Sequence, residues 1–439
     1  MPGEALNELA PIQRRLSRFG AGIRETWLQA DRTARALTFA TATTQLGSGA
    51  FYAISAIFFS QVIGLRAAQI SFGLACAGIA GVLGALTGGY VAARVGSRAT
   101  LLVSLLILGP TIACYTLANG ELSFVLLASS ISIIRGSAST ARTALIASVY
   151  TGAERVGLRA RLRVVTNIAV GLGAVLAGIA LAVGTRTAFS TAVVLVGVLT
   201  LLSALPMLGG GIRDDRVHRP RTGTGRRKAR STGQSPFADP RYLGVTLLVG
   251  INAMYFALID FGVPLWVTQH TAAPRAIVSI LIATNTAVVV LTQVAASRGT
   301  HELIGAGRAA FRGASLIAIA CLVFAGSGRG GAVPAVILLF VAVLVMSGGE
   351  ALGEAGSWGL TMEMANPNNQ ARYQGVAEMA YTGGQTLGPL VISATALSFG
   401  GWGWAGLAAM FALSGLGLQV LARQGARQAA GQRWTSQPG

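Results

Sequence analysis

The chain has 439 residues, of which 53% are hydrophobic and 11% charged, against roughly a quarter charged in an ordinary soluble domain. So apolar a chain cannot cover its own surface in water, which excludes a soluble enzyme and points to a lipid bilayer. The net charge of +19 does not indicate nucleic acid, because the basic residues fall in short bursts between long uncharged runs and not in a continuous basic stripe.

The one lysine, Lys228, follows Arg227, so no Gly-Lys-Ser/Thr phosphate loop exists and ATP-driven transport by this chain alone is excluded. Cys76, Cys114 and Cys321 each stand alone in an apolar run, and His218, His270 and His301 fall in polar connections. No disulfide framework, metal site or cofactor is expected.

In chain order, residues 1–35 carry six arginines mixed with acids and have no short apolar core with a cleavage site. They read as a cytoplasmic amphipathic lead-in and not as a signal peptide. A spanning helix needs ~20 mostly apolar residues. Twelve segments meet that need, near 36 to 63, 69 to 92, 99 to 118, 121 to 148, 164 to 184, 188 to 208, 243 to 266, 275 to 296, 309 to 327, 332 to 361, 373 to 398 and 403 to 422. The stretch Gly209 to Tyr242, rich in Arg, Gly, Thr and Pro, divides them six and six. It reads as a flexible basic linker that fixes topology, with anionic-lipid or partner binding as the alternative.

Orientation follows from arginine counting, since basic residues of short loops stay on the cytoplasmic side. With the N-terminus inside, 28 of the 34 Lys and Arg fall in cytoplasmic stretches and four outside, at Arg66, Arg186, Arg275 and Arg329. Arg155, Arg159, Arg161 and Arg163 count here as a cytoplasmic loop between helices 4 and 5. Arg135 and Arg142 fall inside helix 4, the latter near enough to the cytoplasm to snorkel. The expected organisation is a six-helix half over 36–208, the linker over 209–242, a second half over 243–422 and a cytoplasmic tail over 423–439. The protein is expected to be monomeric.

The connection between helices 2 and 3 reads Gly89-Tyr90-Val91-Ala92-Ala93-Arg94-Val95-Gly96-Ser97-Arg98. It resembles the signature loop of the major facilitator superfamily, Gly-x-x-x-Asp-Arg/Lys-x-Gly-x-Arg/Lys. Gly89 and Gly96 permit close approach and a tight turn, and Arg94 and Arg98 hold the loop at the membrane face. Ala93 stands where the family usually has Asp, so a latch built on that acid is not expected. Gly305-Ala306-Gly307-Arg308 is a looser echo in the second half. In helix 11, Gly384-Gln385-Thr386-Leu387-Gly388-Pro389 is similar to an element that antiporters of the family carry in helix 5. Close helix packing is the simpler reading of those glycines, and a bend at Pro389 the functional one. The resemblance implies an all-α membrane protein of twelve helices in two pseudo-symmetric bundles, rocking around a midplane cavity, and not an enzyme.

Intramembrane charge is the strongest pointer to a site, because it costs at least ~2.5 kcal/mol at the bilayer centre. Asp260 in helix 7, Glu350 and Glu354 in helix 10 and Arg135 in helix 4 are the cases, on three of the four helices that line the cavity in the family. Glu350 and Glu354 share a helix face. Such carboxyl groups resemble the proton sites of multidrug/proton antiporters, and Arg135 resembles the helix-4 arginine of those members. A static ion pair is the alternative. Further cavity candidates are Gln45, Tyr52, Asn252, Tyr255, Asn285, Gln293, Trp358, Tyr381 and Gln385, each also explicable by helix packing. With no counter-charge assigned to the acids, the expected function is proton-coupled export of a small apolar or cationic compound across the cytoplasmic membrane, the proton being the coupling ion. Proton-coupled uptake of a metabolite and a non-transporting sensor or scaffold are the alternatives.

Overall fold

In hydrocarbon an unpaired backbone N–H or C=O costs several kcal/mol, so long apolar runs without internal chain breakers become helices that satisfy their own backbone. A computed structural model of the chain describes residues 31–209, 235–275 and 277–435. The expectations for residues 1–30, for most of the linker and for the last four residues lie outside the described residues.

The first half contains α1 (Arg32–Ile57, widening into a π turn over Phe58–Val62), α2 (Ala67–Val95), α3 (Ser97–Ala113), α4 (Glu121–Val149), α5 (Gly152–Val183) and α6 (Arg186–Leu202). Asp31 caps α1 by accepting from the Ala34 amide at 2.7 Å, which satisfies one of the free donors of its first turn. The second half contains α7 (Pro240–Ala253, then a π turn over Leu258–Gly262 and a last helical piece, Val263–His270), α8 (Ile277–Ala296) and α9 (Leu303–Ser327). It ends with α10 (Ala332–Glu363), α11 (Gln370–Ile392, with a π turn over Ser393–Leu397) and α12 (Gly401–Thr435). The interruption of α7 has a local cause, since Pro264 has no N–H to give to the carbonyl of residue 260 and its ring crowds that carbonyl.

Ten of these twelve helices are long and apolar enough to span a bilayer on composition alone. The exceptions are α1 and α11. Their polar residues, Gln45 and Tyr52 on α1 and Glu378 and Gln385 on α11, line the cavity described below. Elsewhere the outward faces are apolar, as at Val175 and Ile179 on α5, which are 74% and 67% exposed and suit lipid.

Helix pairing repeats with an offset of six. In the first half α1 packs on α5 and α6, α2 on α4, and α3 on α4 and α6; in the second, α7 packs on α11 and α12, α8 on α10, and α9 on α10 and α12. The halves meet along α2 with α11, α4 with α11, and α5 with α8 and α10. Close approach depends on missing side chains: a Cβ on Gly384 would stand 1.9 Å from the Gly250 carbonyl oxygen, so α7 and α11 touch backbone to backbone, as the packing reading of the Gly384 element expects.

Two expectations about elements need correction. Helix 5 begins at Gly152 and not near 164, so the four arginines counted as a loop are helical. Hydropathy alone misses these roughly three turns of helix, because the cost of arginine in lipid does not apply to a face turned toward another helix. The α2–α3 connection is shorter than a loop: Val95 ends one helix, Ser97 starts the next, and Gly96 alone turns the chain with φ +103°, a backbone conformation that favours glycine.

Candidate functional site

Arginines at positions 155, 159 and 163 are four apart and so occupy one stripe of α5. On α10, running antiparallel, Glu350, Glu354, Trp358 and Glu363 form the facing stripe. The two interlock residue by residue. Arg155 pairs with Glu363, the Arg159 guanidinium lies 4.7 Å from the Trp358 ring centre, and Arg163 reaches both remaining acids. Its Nη2 donates to Glu350 Oε1 at 3.0 Å, and its Nε stands 3.1 Å from Glu354 Oε2 as an ion pair without hydrogen-bond geometry.

The two carboxylates are buried and have separate supports. Asn285 Nδ2 on α8 donates to Glu350 Oε2 and to Ser347 Oγ, both at 3.0 Å. The Tyr381 hydroxyl on α11 donates to Glu354 Oε1 at 3.0 Å. Glu350 lies 13 residues inside the Glu363 end of α10, about 20 Å along the axis, which is near the middle of the span. The carboxylates expected to lack counter-charge are therefore paired. The argument for a cationic cargo that rested on them is lost.

Beside this cluster lies a cavity of about 500 Å³ between α1 to α5 on one side and α7, α10 and α11 on the other. Its charged lining is Arg135, Arg142, Arg159, Arg163 and Glu378, four cations against one anion. The Glu378 charge is held by α4, where Ser139 Oγ donates to its Oε1 at 2.5 Å. Arg135 Nη1 donates to the Tyr52 hydroxyl at 3.2 Å. Arg142 does not snorkel out but faces the cavity, and among the described residues it has no hydrogen bond or ion pair. Leu37, Leu101, Leu105, Leu108, Ile146 and Trp358 supply apolar wall.

The candidate residues divide clearly. Gln45, Tyr52, Trp358, Tyr381 and Gln385 line the cavity with Arg135. Glu350, Glu354 and Asn285 form the ion cluster behind Arg163. Asn252 is turned back on its own helix, its Nδ2 donating to the Leu248 carbonyl at 3.1 Å. Tyr255 and Gln293 are buried, with the tyrosine hydroxyl and both amide atoms unpartnered. Asp260, exposed in the π turn of α7, does not line the cavity, though its charge lies within electrostatic reach of Glu350 and Arg163. Arg159, Arg163, Ser139 and Glu378 were not singled out from the sequence. The four-residue spacing on α5 was the available signal for the first two; for Glu378 it was an acid within a predicted span.

The helix 2–3 motif sits where the halves close. Gly89 faces α11, where an added Cβ would meet the Ala371 carbonyl oxygen at 2.7 Å and Gly375 Cα at 2.9 Å. Arg98 donates through Nη2 to the carbonyls of Met207 and Gly209 at 2.8 and 2.9 Å, tying the turn to the end of the first half. Arg94 is exposed in the last turn of α2, a favourable place for a cation at a helix C-terminus. The Arg372 guanidinium on α11 lies 5.2 Å from the Tyr90 ring centre. The approach of Gly89 to α11, the Arg372–Tyr90 contact and the Arg155–Glu363 pair close the halves at the Arg94 end. Toward the opposite end Tyr52, a lining residue, is 59% exposed, and the cavity opens there.

A family model described as the Major Facilitator Superfamily matches residues 37–389. No curated protein matches the sequence. Among solved structures, the human organic anion transporter MFSD10 (TETRAN) is similar with a TM-score of 0.68 at 14% identity, over 88% of this chain and 99% of that one. The proton:xylose symporter XylE bound to 6-bromo-6-deoxy-D-glucose is similar with a TM-score of 0.64 at 15% identity, over 88% and 94%. A bacterial homologue of the iron transporter ferroportin, in an outward-facing state, gives 0.65 at 13%, over 90% and 99%. At these identities the likeness is one of fold.

Proposed function

Since the chain belongs to the Major Facilitator Superfamily, a family of membrane transporters and not of enzymes, we propose that it is a secondary transporter whose cargo is a small amphipathic organic anion. The observation that carries this reading is the charge of the cavity wall: four arginines and one glutamate beside leucines and a tryptophan. With the buried Glu350 and Glu354 that answer Arg163 included, four cations stand against three anions, and between low-dielectric walls that excess attracts an anion and repels a cation. Arg142 and Arg159, the latter over the Trp358 ring, have no hydrogen bond or ion pair among the described residues and meet Glu378 only at a distance, so they are the groups placed to grip a carboxylate or sulfonate by charge-assisted hydrogen bonds. The leucines and Trp358 receive its apolar part. An organic anion is also the cargo named for the similar human transporter, which agrees with the charge argument without replacing it.

Alternating access proceeds by parting the α5–α10 and α2–α11 seams at the Arg94 end while the opposite end closes. The Arg163–Glu350–Glu354 cluster is the candidate for coupling to protons, because it spans both halves at mid-depth. With the four helical arginines of α5 set aside, the basic residues still divide 24 to 4, which supports a cytoplasmic membrane location with both termini and the 209–242 linker in the cytoplasm. We take the halves 36–208 and 243–422 as the two moving bodies of a monomer.

Export of an apolar or cationic compound by proton antiport is the second reading. It draws on Glu378, the carboxylate that reaches the cavity. A binding panel on the purified chain separates the two: thermal stabilisation by naphthalene-1-sulfonate and p-toluenesulfonate but not by tetraphenylphosphonium supports the anion, and the reverse order supports the cation.

A further inference from the structure

Arg163 belongs to two sites at once. Its side chain is 17% exposed and lines the cavity, whereas the Glu350 and Glu354 side chains behind it are 5% and 1% exposed. Two carboxylates share this one guanidinium, which leaves the cluster one negative charge in excess when both are ionised. Arg159, the other cation within reach of Glu354, offsets that excess only in part, because it also faces Glu378. From α5, Arg159 lies a turn away on Trp358; from α11 come Tyr381, bonded to Glu354, and Glu378, bonded to Ser139. From α4 comes Arg142; from α7, buried Tyr255 and the exposed Asp260, whose charge reaches Glu350 and Arg163. α8 presents neutral Asn285, and α9 approaches α10 through Gly313 and Ala310.

The two acids differ at one atom. Both oxygens of Glu350 are hydrogen-bonded, Oε1 by Arg163 and Oε2 by Asn285. In Glu354, Oε1 accepts from Tyr381, while Oε2 is buried without a hydrogen-bond partner and faces Arg163 only as a charge. A proton added to Oε2 breaks no hydrogen bond, and it removes the charge that holds Arg163 Nε. A proton on Glu350 goes onto an oxygen that already accepts a hydrogen bond, from Arg163 or from Asn285, and weakens that acceptor.

We propose that Glu354 Oε2 is the proton site and that its protonation hands Arg163 to the anion in the cavity, so that proton and anion bind and cross together. Glu350 is then a fixed anchor that keeps Arg163 in place. This rests on the anion reading above and adds the sign of the coupling. Because linkage is reciprocal, an anion that draws Arg163 forward also promotes proton uptake by Glu354. The movement is symport, and the anion accumulates on the side toward which protons run. A cationic cargo competing with the proton for the same acids gives antiport instead.

The test measures protons taken up on binding, with the purified full-length chain in detergent. The probes are naphthalene-1-sulfonate and p-toluenesulfonate, which stay ionised across the range used, so any pH dependence belongs to the protein. Calorimetric titrations near neutral pH in buffers of different ionisation enthalpy give the proton change per probe bound. The expected result is net uptake of up to about one proton, with affinity rising by at most about tenfold per pH unit on acidification. Glu354→Gln is expected to bind with the affinity of the acidified wild type, with no uptake and no pH dependence, while Glu350→Gln keeps the uptake. Binding without uptake, or with proton release, overturns the coupling and leaves the anion reading standing. Uptake that persists in Glu354→Gln overturns it too. Binding of neither sulfonate overturns both readings. Should Glu354→Gln fail to fold, the sign of the wild-type proton change still decides.

Discussion

Gly89 offers the sharpest test of how the halves close, because its geometry sets the size of the effect. A methyl group there would lie 2.7 Å from the Ala371 carbonyl oxygen and 2.9 Å from Gly375 Cα. The first is about 0.7 Å short of ordinary contact at 3.4 Å, and both obstacles are backbone. No rotamer change relieves such a clash, so α2 and α11 must part. Overpacking of this kind costs typically 1–3 kcal/mol. It falls only on the state closed at the Arg94 end, so Gly89→Ala shifts the access equilibrium by about 5- to 150-fold toward the state open there. Gly89→Leu, with three further atoms in the gap, excludes the closed state and stops exchange. The assay is pulsed electron spin resonance between labels at Arg94 and Asn368, exposed positions on either side of the seam, in a chain freed of Cys76, Cys114 and Cys321. The short-distance population should shrink in Gly89→Ala and vanish in Gly89→Leu, with membrane insertion unchanged. Wild-type distances and flux in Gly89→Leu would refute the reasoning.

Three further outcomes are expected. Arg155→Gln leaves Glu363, 26% exposed, without its cation and destabilises the same closed state by about 1–3 kcal/mol, less than a fully buried pair loses; the double variant with Glu363→Gln should recover most of the short-distance population in the same resonance measurement. Asp260→Asn should change transport by less than about 0.5 kcal/mol in rate or affinity, since the residue is exposed and outside the cavity; a large loss in a flux assay would return it to the site. Cysteines at Asn119 and Ser235, both exposed, should label from opposite sides of the membrane, and labelling of both from one side would contradict the topology.

Ten of the twelve spans are legible from apolar length alone, which is a direct reading of bilayer thickness, and α4 and α10 fall within a residue or two of their expected ends. The start of α5 was hidden because a helix lined with arginine looks like a loop until its partner helix is known. That partner is some 190 residues away in sequence, so nothing local in Glu350 or Glu354 indicates that Arg163 neutralises them. The same gap explains why the cargo proposed here differs from the apolar or cationic one expected from the sequence: the acids were visible as single costly residues, whereas the cavity's sign emerged only when α4, α5, α10 and α11 came together. The absence of the family's acid at Ala93 did not remove ionic closure. That role passes to Arg155 and Glu363, on different helices at the same end.

The central claim is that arginines in the cavity carry an organic anion. Its most direct test is counterflow at zero pH gradient in proteoliposomes loaded with unlabelled naphthalene-1-sulfonate, following entry of the labelled compound. The account predicts trans-stimulated exchange by the wild type, and a fall of about tenfold or more in apparent affinity in Arg142→Gln and Arg159→Gln, as expected for losing a charge-assisted bond of about 1.5–3 kcal/mol. Exchange of tetraphenylphosphonium in place of the sulfonate, or sulfonate exchange unaltered in the Arg142→Gln, Arg159→Gln double variant, would contradict it.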